Sequence, residues 1–208
     1  MLASLPGPAD VASLQRDGNK RIYAARVGNT AGGGVYLSPI STSVDGGAHW
    51  TQIADRCGRT ARMFVGMSAA SFGHLVVQCF GRAGAILADT LLVSNDSGST
   101  WVGPYPWANA VDEYRGTAVA VSSAGTIVRV TGTQRQSGHY VDAVIEVSTD
   151  KGRTWHRRAH LGVTPSGTTW VGFENASTGR VKVGNVLWTT TDGGQSWNKS
   201  AMCGATGC

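Results

Sequence analysis

Four copies of one eight-residue pattern constrain this chain more than any other feature. They are Ser43-Val-Asp45-Gly-Gly47-Ala-His-Trp50, Ser94-Asn-Asp96-Ser-Gly98-Ser-Thr-Trp101, Ser148-Thr-Asp150-Lys-Gly152-Arg-Thr-Trp155 and Thr190-Thr-Asp192-Gly-Gly194-Gln-Ser-Trp197. All read [S/T]-x-D-x-G-x-x-W. Successive aspartates are 51, 54 and 42 residues apart (96 − 45, 150 − 96, 192 − 150), the spacing of a repeat architecture. The pattern has the chemistry of a tight turn. The Asp side chain accepts from backbone N–H groups two residues on. The Ser or Thr hydroxyl ties the turn from its other side. Gly supplies a positive φ. Trp opens the next strand and is expected to be buried beside the turn.

Further periodicity surrounds each copy. Gly18, Gly73, Gly125 and Gly167 precede the four aspartates by 27, 23, 25 and 25 residues. Each stands before a short apolar stretch: Arg21-Ile-Tyr-Ala, His74-Leu-Val-Val-Gln, Thr126-Ile-Val-Arg-Val and Thr169-Trp-Val-Gly-Phe. A third run follows in each unit, at 34–37, 86–93, 141–147 and 180–188, and the fourth begins at each Trp. Four short strands per unit is the arithmetic of a propeller blade. Composition agrees: 208 residues, 41% apolar, 15% charged and 29 Gly exclude a coiled coil, a helical bundle and a charged disordered tail. The Gly has no three-residue period, which excludes collagen. The expected fold is therefore all-β, a β-propeller of four-stranded antiparallel blades. One domain spans 1–208, with blades at about 9–54, 60–105, 116–158 and 159–201.

The four boxes resemble the Asp-box, or bacterial neuraminidase repeat, of sialidases, sortilin-type receptors and photosystem II assembly factors. That resemblance covers nearly the whole chain. It implies β-propeller blades with the box between a blade's third and fourth strands, and it specifies fold far better than function. Asp-box propellers typically have six or more blades. Four visible blades leave three readings open: a closed small ring, part of a larger propeller, or a half-ring that pairs with another copy.

The formal charge is +5, which favours anionic partners in general. No basic stripe with stacking aromatics points to nucleic acid. No apolar run reaches the roughly 20 residues that span a bilayer. The N-terminus lacks a basic n-region and carries Pro6 and Pro8, so it does not read as a signal peptide. Cys57, Cys79, Cys203 and Cys208 form two pairs near in sequence, which fits two disulfides, although three connectivities exist. The expected pairs are Cys57 with Cys79 and Cys203 with Cys208, and they favour an extracellular or cell-surface location. No metal-ligand spacing and no cofactor motif is present.

By resemblance, a sialidase needs three arginines on the substrate carboxylate, a Tyr nucleophile with its Glu, and an Asp acid/base. The first arginine sits in [F/Y]-R-I-P; here Lys20-Arg21-Ile22-Tyr23 lacks the aromatic and the proline. No Asp or Glu lies between Gly18 and Val44. Glu113, Tyr114 and Arg115 are the one catalytic constellation left, and neighbours in a strand point apart. A solvated connection is the plainer reading. Blade geometry places the links between strands two and three, and between blades, on one face. That face is expected to carry Arg56, Arg59, Arg82, Arg115, Arg135 and Arg180 against Asp55, Asp112, Glu113 and Glu174. Arg82, Arg115, Arg135 and Arg180 are the candidate ligand residues, for a carboxylated sugar or an acidic protein loop. The reading is a non-catalytic binding or scaffold propeller for anionic glycans or a protein partner. The alternative is a sialidase-like glycoside hydrolase or a fragment of one.

Overall fold

A computed structural model of the protein describes residues 10–18, 21–29, 35–37, 40–54, 63–83, 86–106, 114–134, 140–163 and 169–201. The fold is all-β, of the β-propeller class, with four antiparallel sheets that follow one another along the chain. The first holds β1 (Asp10–Arg16), β2 (Ile22–Asn29), β3 (Val35–Leu37), β4 (Ile40–Ser43) and β5 (Thr51–Ala54). The second holds β6 (Met63–Ala70), β7 (His74–Ala83), β8 (Ile86–Ser94) and β9 (Val102–Pro106). The third holds β10 (Tyr114–Val121), β11 (Ile127–Gln134), β12 (Tyr140–Ser148) and β13 (His156–His160). The fourth holds β14 (Thr169–Phe173), β15 (Gly179–Val183), β16 (Val186–Thr190) and β17 (Asn198–Ala201).

In the first blade, β3 and β4 together do the work of one strand. β3 pairs with the far end of β2 and β4 with its near end. The sequence between them is Ser38-Pro39, and a proline has no N–H to give to a ladder. The other blades are four-stranded meanders.

The chain divides into two compact units, 1–107 and 108–208. In the first, Tyr23, Ala25 and Ile40 of blade 1 pack on Met67, Leu75, Val77, Cys79 and Leu92 of blade 2. In the second, Val128, Val130, Ile145 and Val147 of blade 3 pack on Val171, Val181, Val183 and Trp197 of blade 4. Each core is made by alternate residues of facing strands, so period two in the sequence becomes one apolar face per blade.

Two sequence expectations need correction. The run 169–173 is the first strand of blade 4, not its second, and 180–188 spans β15, a tight hairpin and the start of β16. Gly167 lies outside the described residues. The turn equivalent to Gly18, Gly73 and Gly125 is 174–178, which has no glycine. There the Asn175 side-chain oxygen accepts the N–H groups of Ser177 (2.9 Å) and Thr178 (2.8 Å), an Asx turn that needs no positive φ. The second correction concerns tryptophan. Trp197 is buried, but Trp50, Trp101 and Trp155 are half-buried. They sit where a sheet ends at its turn, so one ring edge meets water.

Candidate functional site

The four repeat turns are superposable in their hydrogen bonds, and the roles differ from those read in the sequence. The hydroxyl at the first position donates to Asp Oδ1 at 2.8 Å in every copy: Ser43, Ser94, Ser148 and Thr190. The same oxygen accepts the buried N–H of Gly47, Gly98, Gly152 and Gly194 at 2.8–2.9 Å. Asp reaches four residues on, not two. Oδ1 accepts the N–H of His49, Thr100, Thr154 and Ser196 at 2.8–3.0 Å. Oδ2 takes the side chain of the same residue at 2.5–2.6 Å. This seventh position is the functional residue that the sequence reading missed; its signal was His, Thr, Thr and Ser immediately before each Trp. Each Trp indole N–H then donates to the carbonyl of the box glycine at 2.9–3.1 Å.

These bonds favour the ionised carboxylate. The hydroxyl and N–H of Ser196 lead in holding Asp192 down to about 2. For Asp150 burial opposes the shift, but the Thr154 hydroxyl and N–H outweigh it, again to about 2. Thr100 lowers Asp96, and the His49 N–H and ring lower Asp45. A carboxylate that accepts this many bonds is a structural anchor.

Glycine at the fifth position has φ between +84° and +96° in all four copies. The residue before it is also left-handed, and here two copies use side-chain-bearing residues: Ser97 (φ 62°) and Lys151 (φ 65°) against Gly46 and Gly193. Ser97 also joins the neighbouring blade. The buried Tyr23 phenol hydrogen-bonds Ser97 and donates to Asp17 Oδ2 at 3.4 Å, while burial pushes its pKa up. Asp17, 3% exposed, also accepts the Arg21 N–H. The nearest acid to the acid-free stretch is thus locked into a turn.

The other carboxylates whose side chains are described are committed as well. Glu146 accepts from Arg129 at 2.8 Å and from Thr131 at 3.3 Å, and the Arg129 guanidinium stacks 3.9 Å from the Trp155 ring centre. Asp142 meets His160 at 2.9 Å. A groove of about 410 Å³ beside the fourth repeat turn is lined by Thr149, Arg158, Ser177, Asp192 and Gln195, among others.

The candidate site residues fall as follows. Tyr114 and Arg115 open β10, in register with Thr133 and Gly132. Arg82 lies near the end of β7, opposite Leu87. Both Arg82 and Arg115 are at the ends of their blades distant from the repeat turns. Arg56, Arg59, Asp55, Asp112, Glu113, Arg135, Cys57, Cys203 and Cys208 lie outside the described residues. Arg180 and Glu174 are corrected: they flank the turn between β14 and β15, at the repeat-turn end of blade 4, and form an ion pair of 3.0 Å. The error follows from the misplaced first strand. Cys79 is fully buried and disulfide-bonded, with a partner outside the described residues. Among the described residues no group of His, Cys, Asp and Glu could hold a metal, and no helix is long and apolar enough to cross a membrane.

The chain matches no protein-family model and no curated protein. Solved structures do match. An α-L-arabinofuranosidase from Fusarium graminearum, in complex with an iminosugar inhibitor, aligns at TM-score 0.56 and 14% identity, over 88% of this chain and 61% of that one. An α-L-arabinanase from Penicillium chrysogenum aligns at 0.54 and 15%, over 86% and 59%. A GH74 xyloglucanase from Xanthomonas campestris aligns at 0.50 and 17%, over 86% and 27%. At these identities the likeness is one of fold, that of a β-propeller. The chain spans between 27% and 61% of the length of these enzymes.

Proposed function

We propose that this chain is a non-catalytic Asp-box propeller module that binds carboxylated glycans through arginines, with Arg82 of the second blade and Arg115 and Arg135 of the third as the candidate contacts. One observation carries the reading. Every carboxylate whose side chain is described has a partner within the fold: the four box aspartates, Asp17, Asp142, Glu146 and Glu174. None is left beside a second carboxylate for acid–base work on a glycosidic bond. The arginines offer forked donors that match a carboxylate. The second reading, a glycoside hydrolase whose catalytic groups come partly from further blades, is favoured by the enzymes of the same fold and greater length.

Cys57 is the proposed partner of Cys79, and Cys203 that of Cys208, and two such disulfides support an extracellular location. Mass mapping of non-reduced peptides reads both pairs. The functional test is direct. Incubation with fluorogenic sialoside and arabinofuranoside gives no turnover above background, while an Arg82→Ala, Arg135→Ala variant binds immobilised polyuronate more weakly than the parent. Turnover that disappears in Tyr114→Phe favours the hydrolase instead.

A further inference from the structure

The two faces of blade 4 are unlike. Val171, Val181 and Val183 point into the core shared with blade 3. The opposite face is polar. Across it, Trp170 stands opposite Lys182 and Lys182 opposite Leu187; in the next row Gly172 stands opposite Arg180 and Arg180 opposite Thr189. β17 adds the exposed Asn198 and Ser200 beside Thr189 and Leu187. Trp170 is 54% exposed. Its ring lies along the strand over Gly172: a Cβ built on that glycine would stand 2.5 Å from Cζ2 and 2.8 Å from Cη2. Glycine therefore lets the indole lie down on the sheet and turn a ring face to solvent. The Arg180–Glu174 pair beside it is about half exposed on both sides, at 45% and 50%.

We propose that this face is a binding platform for a uronic-acid-containing oligosaccharide, separate from Arg115 at the end of blade 3 distant from its repeat turn. A pyranose presents a face of C–H groups that packs on a flat aromatic ring by dispersion. Its carboxylate pairs with the guanidinium of Arg180 or the ammonium of Lys182. Its hydroxyls exchange hydrogen bonds with Thr189, Asn198 and Ser200. A second copy of the chain fits this face poorly, because dimer interface cores are about 65% apolar and only Trp170 and Leu187 here are large and apolar. Single-stranded nucleic acid calls for successive stacking aromatics in a positive groove, whereas this face has one ring and Glu174 offsets one of its two cations.

The test titrates the full chain by calorimetry with galacturonate and mannuronate hexamers, with cellohexaose as the neutral arm and oligothymidylate as the nucleic-acid arm. At least one oligouronate is expected to bind. Trp170→Ala should weaken it at least tenfold, and Trp170→Phe by less than threefold. Gly172→Val, which lifts the indole without changing charge, should weaken binding as Trp170→Ala does. In the Arg82→Ala, Arg135→Ala background, a further Arg180→Gln, Lys182→Gln change should leave oligouronate bound no better than cellohexaose. Arg82→Ala with Arg135→Ala should leave the Trp170-dependent part unchanged. Thermal midpoints report that each variant is folded. The proposal is wrong if neither oligouronate binds, if Trp170→Ala binds like the parent, or if oligothymidylate binds more tightly than either hexamer. A dimer that Trp170→Ala dissociates in sedimentation also overturns it, and makes the face a self-interface.

Discussion

In each repeat turn the hydroxyl of the first residue holds more structure than the aspartate that catches the eye in the sequence. Ser148 is fully buried, and it alone satisfies the buried Gly152 N–H. Asp150 binds Thr154, which faces water. Ser148→Ala should therefore lower unfolding free energy by about 1–3 kcal/mol, the penalty of a buried unpaired donor, and Asp150→Ala by only about 1 kcal/mol. Urea unfolding of both variants checks the order; a larger loss for the aspartate refutes it. The pH dependence has a definite sign. Asp150 and Asp192 titrate at about 2 when folded, against an ordinary 3.8. The folded state thus favours the ionised form, and the stabilisation is present above pH 4 and lost as pH falls towards 2. The melting temperature should drop across that window, and less steeply in an Asp150→Asn, Asp192→Asn variant. One residue in the third turn carries backbone strain that glycine would not. Lys151 sits at φ 65° where Gly46 and Gly193 stand in other copies. Relief of the left-handed penalty exceeds the added chain entropy, so Lys151→Gly should stabilise by about 0.5–1 kcal/mol, read as a higher urea midpoint.

At the scale of elements, the repeat turns of blades 2 and 4 are tied to the turn between the blade's first two strands. The Ser97 N–H donates to the Gly73 carbonyl at 3.0 Å, and Gly193 does the same to Ser177 at 2.9 Å. Gly73 has φ +78°, and a Cβ there would stand 2.7 Å from the Ser97 backbone nitrogen. Gly46 has φ +75° with nothing within 4 Å. Replacing each by Ala separates backbone strain from close approach. Gly46→Ala should destabilise by about 1–2 kcal/mol, and Gly73→Ala by about 1 kcal/mol or more beyond that, through the overpacking. Equal losses would show that the two turns can part without penalty. The same pairing of turns explains what was legible. The repeat turns could be read because Ser or Thr, Asp, Gly and Trp are each required by a bond that no other residue makes as well. The first turn of blade 4 could not, because Asn175 replaces glycine there and draws the eye to Gly167 instead. That one substitution moved the expected strand by a full element and carried Arg180 and Glu174 to the wrong end of the blade.

At the scale of the whole molecule, sequence periodicity is enough to define the blades, but ligand chemistry depends on which blade ends meet, and single residues at strand termini carry no periodic signal. The hydroxyl and aromatic residues of blade 4 illustrate this: Trp170 reads as one more strand tryptophan until the register places it over Gly172 and beside Arg180. The net charge of +5 then sets the expectation for salt. A solvated arginine acts through a screened field, which at 0.1 M salt decays over about 10 Å and at 1 M over about 3 Å. Stacking on an indole is a dispersion contact that salt does not screen. Oligouronate binding should therefore fall in two stages. The part lost in the Arg82→Ala, Arg135→Ala variant should vanish as salt rises from 0.05 to 0.5 M, and the part lost in Trp170→Ala should persist. Titrations of the parent and both variants at the two salt concentrations separate the stages. If all binding disappears with salt in the parent, stacking contributes nothing. If none does, Arg82 and Arg135 are solubilising charges and not ligand contacts.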